Sequence, residues 1–214
     1  MAQSIPQSSV WTLADLVDLL GPIPAHRIRH SPPPGAATQQ DVVRLERQEQ
    51  RLYELVEGVL VEKAMGFYES YLAGVLVKLI GNYLDRNNLG IVTPPDGMVC
   101  LRPGLVRIPD VAFISWERLP GRAIPRDPIP NVAPDLAVEI LSEGNTEQEM
   151  RRKLNDYFAA RVRRVWYVDP ASRSVTVYTS PAAFTVLHEH ETLDGGDVLP
   201  GFRLPLDTFF GQRG

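Results

Sequence analysis

The sequence predicts a mixed α/β protein, a sheet with helices packed against it, and three observations carry that expectation. A hairpin signal runs from Tyr53 to Glu62, two apolar runs around Glu57-Gly58. Phe67 to Asp85 then places Tyr68, Leu72, Val75, Leu76, Leu79 and Tyr83 at helical spacing. A second helical pattern, Glu147 to Ala160, falls between short β-type runs, so helices alternate with strands and no internal repeat is visible.

Each element follows from local chemistry. Six of the 19 prolines fall in the first 34 residues and end in Pro32-Pro33-Pro34-Gly35, so residues 1–50 read as an extension: a short helix followed by an extended wrap. Thr12 can cap that helix with Asp15 three residues on, and Gly21 can end it at Leu20. Asp41 to Arg51 is polar and helix-prone. After the long helix come Ile91 to Thr93, Met98 to Leu101 and Arg107 to Ile114, read as strands punctuated by proline and glycine. A proline-rich excursion from Pro120 to Pro134 leads into Leu136 to Leu141, an apolar run with one acid, as expected of a central strand buried on both faces. The second helix has Met150, Leu154, Tyr157 and Phe158 on its apolar face and Thr146 or Asn145 as its cap. Arg164 to Val168, Ser174 to Thr179 and Phe184 to Leu187 follow as strands, and the segment up to Phe210 is expected to complete a β-rich end.

Composition bounds the function. At 214 residues the chain can bury one full core and an appendage, and 44% hydrophobic with 22% charged residues is too apolar for disorder. No apolar run approaches the roughly 20 residues of a membrane helix. Met1 to Val10 is polar and shows no secretory signal, so a cytoplasmic location is expected. Cys100 is the sole cysteine, which excludes an intrachain disulfide and a thiolate cluster. A net charge of -4 argues against a non-specific nucleic-acid coat but leaves room for a nucleic-acid enzyme with locally placed carboxylates. Met150 to Arg164 holds six basic residues against Asp156 alone, the one basic cluster of note.

Glu139 is the acid inside the apolar run. A buried carboxylate costs several kcal/mol unless compensated, so Glu139 is either paired with arginine, placed at an exposed strand end, or a ligand for a hard cation such as Mg²⁺. A metal needs a second acid. Asp135 lies four residues away on the same strand, about 13 Å at 3.3 Å per residue, whereas Asp110 comes from another strand, and neighbouring strands lie only about 4.8 Å apart. Asp110 is therefore the better partner, against the alternative of a turn-forming Pro-Asp. Lys153, about 40° from Tyr157 around its helix, can reach over the end of the Glu139 strand or snorkel to solvent.

These stretches resemble the Uma2-type (DUF820) endonuclease family of the PD-(D/E)XK superfamily. The matching residues are Tyr53-Glu54-Leu55-Val56-Glu57-Gly58, Arg107-Ile108-Pro109-Asp110-Val111, Pro134 to Ser142, Lys153 with Tyr157, and Val165-Trp166-Tyr167-Val168-Asp169-Pro170, spanning about Leu52 to Phe210. The resemblance implies a restriction-endonuclease-like central sheet in residues 51–214, divalent metal at Asp110 and Glu139, and a displaced catalytic lysine at Lys153, because Leu141 stands where many such nucleases carry lysine. The family often has His at the start of the long helix where this chain has Glu69, leaving Glu69 a third metal ligand or a surface residue. The implied chemistry is hydrolysis of DNA phosphodiester bonds with Mg²⁺, or Mn²⁺ as substitute, the Ile140 carbonyl completing the metal shell and Arg161, Arg163 and Arg164 as candidate phosphate contacts. Duplex cleavage by a single site calls for two copies, which makes a homodimer reasonable, although no interface is legible. The rival reading is a non-catalytic nuclease-fold binding or assembly module, favoured by the acidic charge and the lack of a DNA-reading motif. His188-Glu189-His190 could place two imidazoles on one strand face but reads better as an exposed edge strand. His26 and His30 suggest nothing, and no phosphate loop, nucleophile elbow or dinucleotide fingerprint occurs.

Overall fold

The computed structural model describes residues 11–211; the polar N-terminus read above as carrying no secretory signal lies outside the described residues. Helix α1 (Leu13–Leu20) starts at Thr12, whose hydroxyl accepts the Asp15 N–H while the Asp15 carboxylate accepts the Thr12 N–H, and Gly21 closes it at φ 76°. Strand β1 (Ile28–Arg29) follows, then α2 (Gln39–Glu49), where Asp41 accepts the Thr38 N–H. Strands β2 (Tyr53–Val56) and β3 (Val59–Glu62) form the expected hairpin. Its turn has Glu57 at φ 49° and Gly58 at φ 78°, both left-handed as a two-residue turn of the I′ type requires.

The Gly58 carbonyl accepts N–H bonds from Gly35 and Ala37, and a Cβ on Gly58 would sit 2.5 Å from the Gly35 carbonyl. Gly58→Ala should therefore cost more than about 1 kcal/mol of unfolding free energy, read by urea denaturation.

Helix α3 (Phe67–Asn87) leads into β4 (Gly90–Thr93), β5 (Val99–Arg102), β6 (Leu105–Arg107), β7 (Val111–Ser115) and β8 (Leu136–Ile140). Helix α4 (Glu147–Ala159) follows, capped by the Thr146 hydroxyl, then β9 (Arg164–Asp169), β10 (Ser174–Tyr178), β11 (Phe184–His188), β12 (Thr192–Asp194), β13 (Arg203–Pro205) and α5 (Leu206–Phe210). Two larger sheets result. One has five strands in the order β1-β3-β2-β6-β5; the other has six in the order β11-β10-β9-β8-β7-β4; β12 and β13 pair separately. In the six-stranded sheet β8 is central, antiparallel to β7 and parallel to β9.

Two expectations change. The run from Arg107 to Ile114 is not one strand: β6 belongs to the first sheet and β7 to the second, and Ile108-Pro109-Asp110 is the crossing between them. Proline has no N–H to give to a ladder, so the strand breaks where Pro109 stands. The chain also ends in helix as well as strand, because Leu206, Phe209 and Phe210 are buried at the i, i+3, i+4 spacing of one helical face.

Side-chain alternation on β8 decides what faces what. Val138 and Ile140 join the core made with Leu72, Leu76 and Ile80 of α3, while Ala137 packs with Met150, Leu154 and Tyr157 of α4. Glu139 shares the Ala137 face and is turned to α4. The N-terminal extension is bonded into this framework. Leu16 and Leu20 pack on Val56, Val59 and Leu105; β1 pairs with β3; and Arg27 grips Glu149 of α4 with two hydrogen bonds of 2.8 and 3.1 Å, both side chains buried.

Candidate active site

The two acids singled out from the sequence come together where β7 begins beside β8. Val111 pairs with Val138 in antiparallel register, and Asp110, one residue before Val111, is close enough to Glu139 for the two charges to act on each other. Asp110 occupies the first position after the sheet crossing, its N–H bonded to the Val138 carbonyl at 2.9 Å and its Oδ2 accepting the Ile140 N–H at 2.7 Å. The carboxylate thus takes the place of the next backbone partner in the ladder, which fixes its rotamer. Asp110 and Glu139 are each 4% exposed.

A ring of cations holds these acids. Lys153 Nζ lies 3.2 Å from Glu139 Oε2 and 3.2 Å from Glu54 Oε1, while the Tyr157 hydroxyl, one turn further along α4, donates to Glu139 Oε1. Arg107, fully buried at the end of β6, bonds Glu54 Oε2 at 2.7 Å and grips Asp156 through its other nitrogens. The Ile108 N–H completes Glu54 at 3.2 Å. From the residue just after β3, Lys63 reaches Asp110 Oδ1 at 2.7 Å and also donates to the Ile108 carbonyl. Of the groups around the two acids, the sequence identifies Lys153; Tyr157 reads there as part of the apolar face of its helix, and Glu54, Lys63, Arg107 and Asp156 are missed as site residues. Glu54 and Lys63 look like the outward charges of an ordinary hairpin. Only the covering of that face by α4 and by the sheet crossing makes them interior.

The sequence profile of Uma2, described as "Putative restriction endonuclease", matches residues 39–207, most of the chain and all of the ring. The chain belongs to the Uma2 family. A solved DUF820 protein from Anabaena variabilis, described as a putative nuclease, has the same fold at a TM-score of 0.69, with 18% identity over 81% of this chain and 97% of that one. No curated protein matches the sequence. The mixed sheet flanked by helices is therefore a nuclease-like fold, as the resemblance implies.

Within the Uma2 site the charges shape each other. Burial pushes Glu139 above the usual carboxylate range; Lys153 pulls it back, and the Asp110 charge raises it again, so the two acids feel each other directly. Burial also acts to raise Glu54, but Lys153, Arg107 and Lys63 overcome it and hold that carboxylate well below its ordinary value of 4.5. Burial works against the Lys153 charge, yet Glu139 and Glu54 keep the ammonium protonated past its ordinary range. Because the folded state depresses Glu54, its contribution to stability is complete above pH 4.5 and drains away as pH falls below that value. Unfolding midpoints measured from pH 7 to pH 3 should fall more steeply for the wild type than for Glu54→Gln.

A metal fits this donor set. Two buried carboxylates, one on β8 and one at the sheet crossing that leads into β7, offer the hard oxygens that Mg²⁺ takes one or two at a time, leaving its other positions to water and phosphate. Their mutual repulsion is what a shared cation relieves. Among the described residues no group of three or more His, Cys, Asp or Glu side chains is arranged to hold a metal, so Glu69 does not complete a ligand triad with them. Its carboxylate instead folds back over Gly66 at the start of α3, on the wall of a cavity of about 780 Å³ shared with Tyr68, Leu141, Ser142, Asn145 and Arg151. The arginines sit elsewhere. Arg164 is level with Leu136, at the opposite end of β8 from Glu139; Arg163 and Arg164 bond Asp197 at 2.7 and 2.8 Å, and the Arg161 carbonyl accepts from Arg118. Asp135 is likewise apart, bonded to Arg118 and to the Ser115 N–H. In the His188-Glu189-His190 stretch, Glu189 pairs with Arg173.

Proposed function

We propose that this Uma2 protein is a metal-dependent endonuclease that hydrolyses DNA phosphodiester bonds. The observation that carries the reading is the buried pair Asp110 and Glu139, whose charges act on each other, with the Lys153 ammonium 3.2 Å from a Glu139 oxygen. Asp110 and Glu139 would hold Mg²⁺, which when bound would supply Lewis-acid polarisation of a phosphoryl oxygen and acidify an attacking water.

The chain's own groups do the rest. Asp110 is oriented by the Ile140 amide and Glu139 by the Tyr157 hydroxyl, which fixes the direction in which each carboxylate points. Lys153, kept protonated by two carboxylates, serves as a fixed positive charge for the developing negative charge on phosphate rather than as a base. Arg107 neutralises the far oxygen of Glu54 and so leaves Lys153 shared between Glu54 and Glu139 instead of captured by one of them.

The test is cleavage of plasmid DNA in Mg²⁺ or Mn²⁺ by the wild type and by Asp110→Asn, Glu139→Gln and Lys153→Met. Lys153→Met should lose about 10²–10³-fold in rate, the usual consequence of removing one preorganised charge aimed at the transition state. Equal cleavage by all four proteins would discard the site. A wild type that neither cuts nor binds Mn²⁺ would leave the nuclease fold as a binding or assembly module.

A further inference from the structure

Lys63 is the ring member whose position the proposed chemistry does not use. Its Nζ lies 2.7 Å from Asp110 Oδ1 and its side chain is 7% exposed. The oxygen it holds belongs to one of the two carboxylates that would share a cation. Glu54, Asp110, Glu139 and Asp156 face Lys63, Lys153 and Arg107 in direct ion-pair contact, an excess of one negative charge. Adding a divalent cation to the intact ring would overshoot neutrality by one positive charge, and the cation would stand beside an ammonium. Moving Lys63 out restores the balance. Space exists for that move: Lys63 borders a pocket of about 290 Å³ with Leu52, Met65, Ser70, Pro94 and Asp96, and Asp96 is an exposed carboxylate.

We infer that Lys63 is a built-in competitor for the divalent cation, an internal counter-ion that gives up Asp110 to the metal and swings toward Asp96. This rests on the metal-dependent reading above. Lys63 also ties β3 to the sheet crossing, and a purely bracing role makes the opposite prediction, since losing a brace loosens Asp110 and weakens metal binding.

The experiment is calorimetric titration of Mn²⁺ into the full chain without DNA, for the wild type, Lys63→Met, Lys63→Arg and Asp96→Asn, with circular dichroism to check folding. Lys63→Met should bind Mn²⁺ at least tenfold more tightly, Lys63→Arg should stay at the wild-type affinity, and Asp96→Asn should bind about threefold more weakly, having lost the carboxylate that receives the ammonium. Equal or weaker binding by folded Lys63→Met, with the wild type binding, overturns the competitor role and leaves the metal reading standing. Absence of binding in every protein overturns both. If Lys63→Met fails to fold, Asp96→Asn decides: weaker binding supports the exchange and unchanged binding overturns it.

Discussion

Glu139→Gln is expected to remain folded and to cut DNA at least about 10³-fold more slowly than the wild type, the magnitude seen when a group that holds the transition-state charge is removed. Stability and activity should part company here for a definite reason. Burial raises the Glu139 pKa, so the folded state holds its proton more tightly than the unfolded one, and ionising the group costs stability as pH rises from the ordinary value of 4.5 through the raised one. The amide removes that cost, keeps an oxygen to accept from Tyr157, and leaves Lys153 its second partner, Glu54. A melting temperature within a few degrees of wild type at pH 7, together with lost cleavage, is the expected pair of results. Full activity in the folded variant would remove Glu139 from the chemistry.

Arg107→Met should be the most damaging single change to stability. The guanidinium is 0% exposed and neutralises Glu54, itself 2% exposed, as well as Asp156. Losing the guanidinium leaves Asp156 without its ion pair and Glu54 with Lys153 alone, and breaking a buried pair from one side typically costs about 3–5 kcal/mol, which in a chain of this size corresponds to roughly 10 °C in melting temperature. Truncating both sides is a different matter. Arg107→Met with Glu54→Gln and Asp156→Asn should recover much of the loss, because both carboxylates that faced the guanidinium are then neutral. Thermal denaturation of the single and triple variants checks both statements.

The contrast between Glu139 and Arg107 shows what the sequence makes legible. A lone acid in an apolar strand announces itself, since a strand buried on both faces has no ordinary place for it, and strand spacing alone then prefers Asp110 over Asp135. Helical phase places Lys153 and Tyr157 on the side facing that strand. Arg107 and Glu54 carry no such anomaly. Each sits beside apolar residues in the way an outward charge does, and their burial depends on which element covers them, a property of the tertiary fold and not of the local pattern. The basic run at Arg161, Arg163 and Arg164 illustrates the converse. It looks like a phosphate-binding patch until Asp197, more than 30 residues further on, is brought against two of its members. The elements themselves were well marked, down to the Thr12 and Gly21 ends of α1, because caps and turns are decided by neighbours in the chain. The crossing at Pro109 was not, since one strand-like run can serve two sheets only when both exist.

The Arg27–Glu149 clasp gives the first part of the chain an influence out of proportion to its chemistry. No acid or amine of the ring comes from before residue 50, yet that clasp pins the opening turn of the helix from which Lys153 and Tyr157 descend. Trimming the protein to the matched family segment, which begins at residue 39, would cut away the hand and keep the lever. Ancestry and mechanical completeness draw their borders at different residues in this molecule, and an expression boundary chosen from kinship alone would discard a support of its own reactive centre.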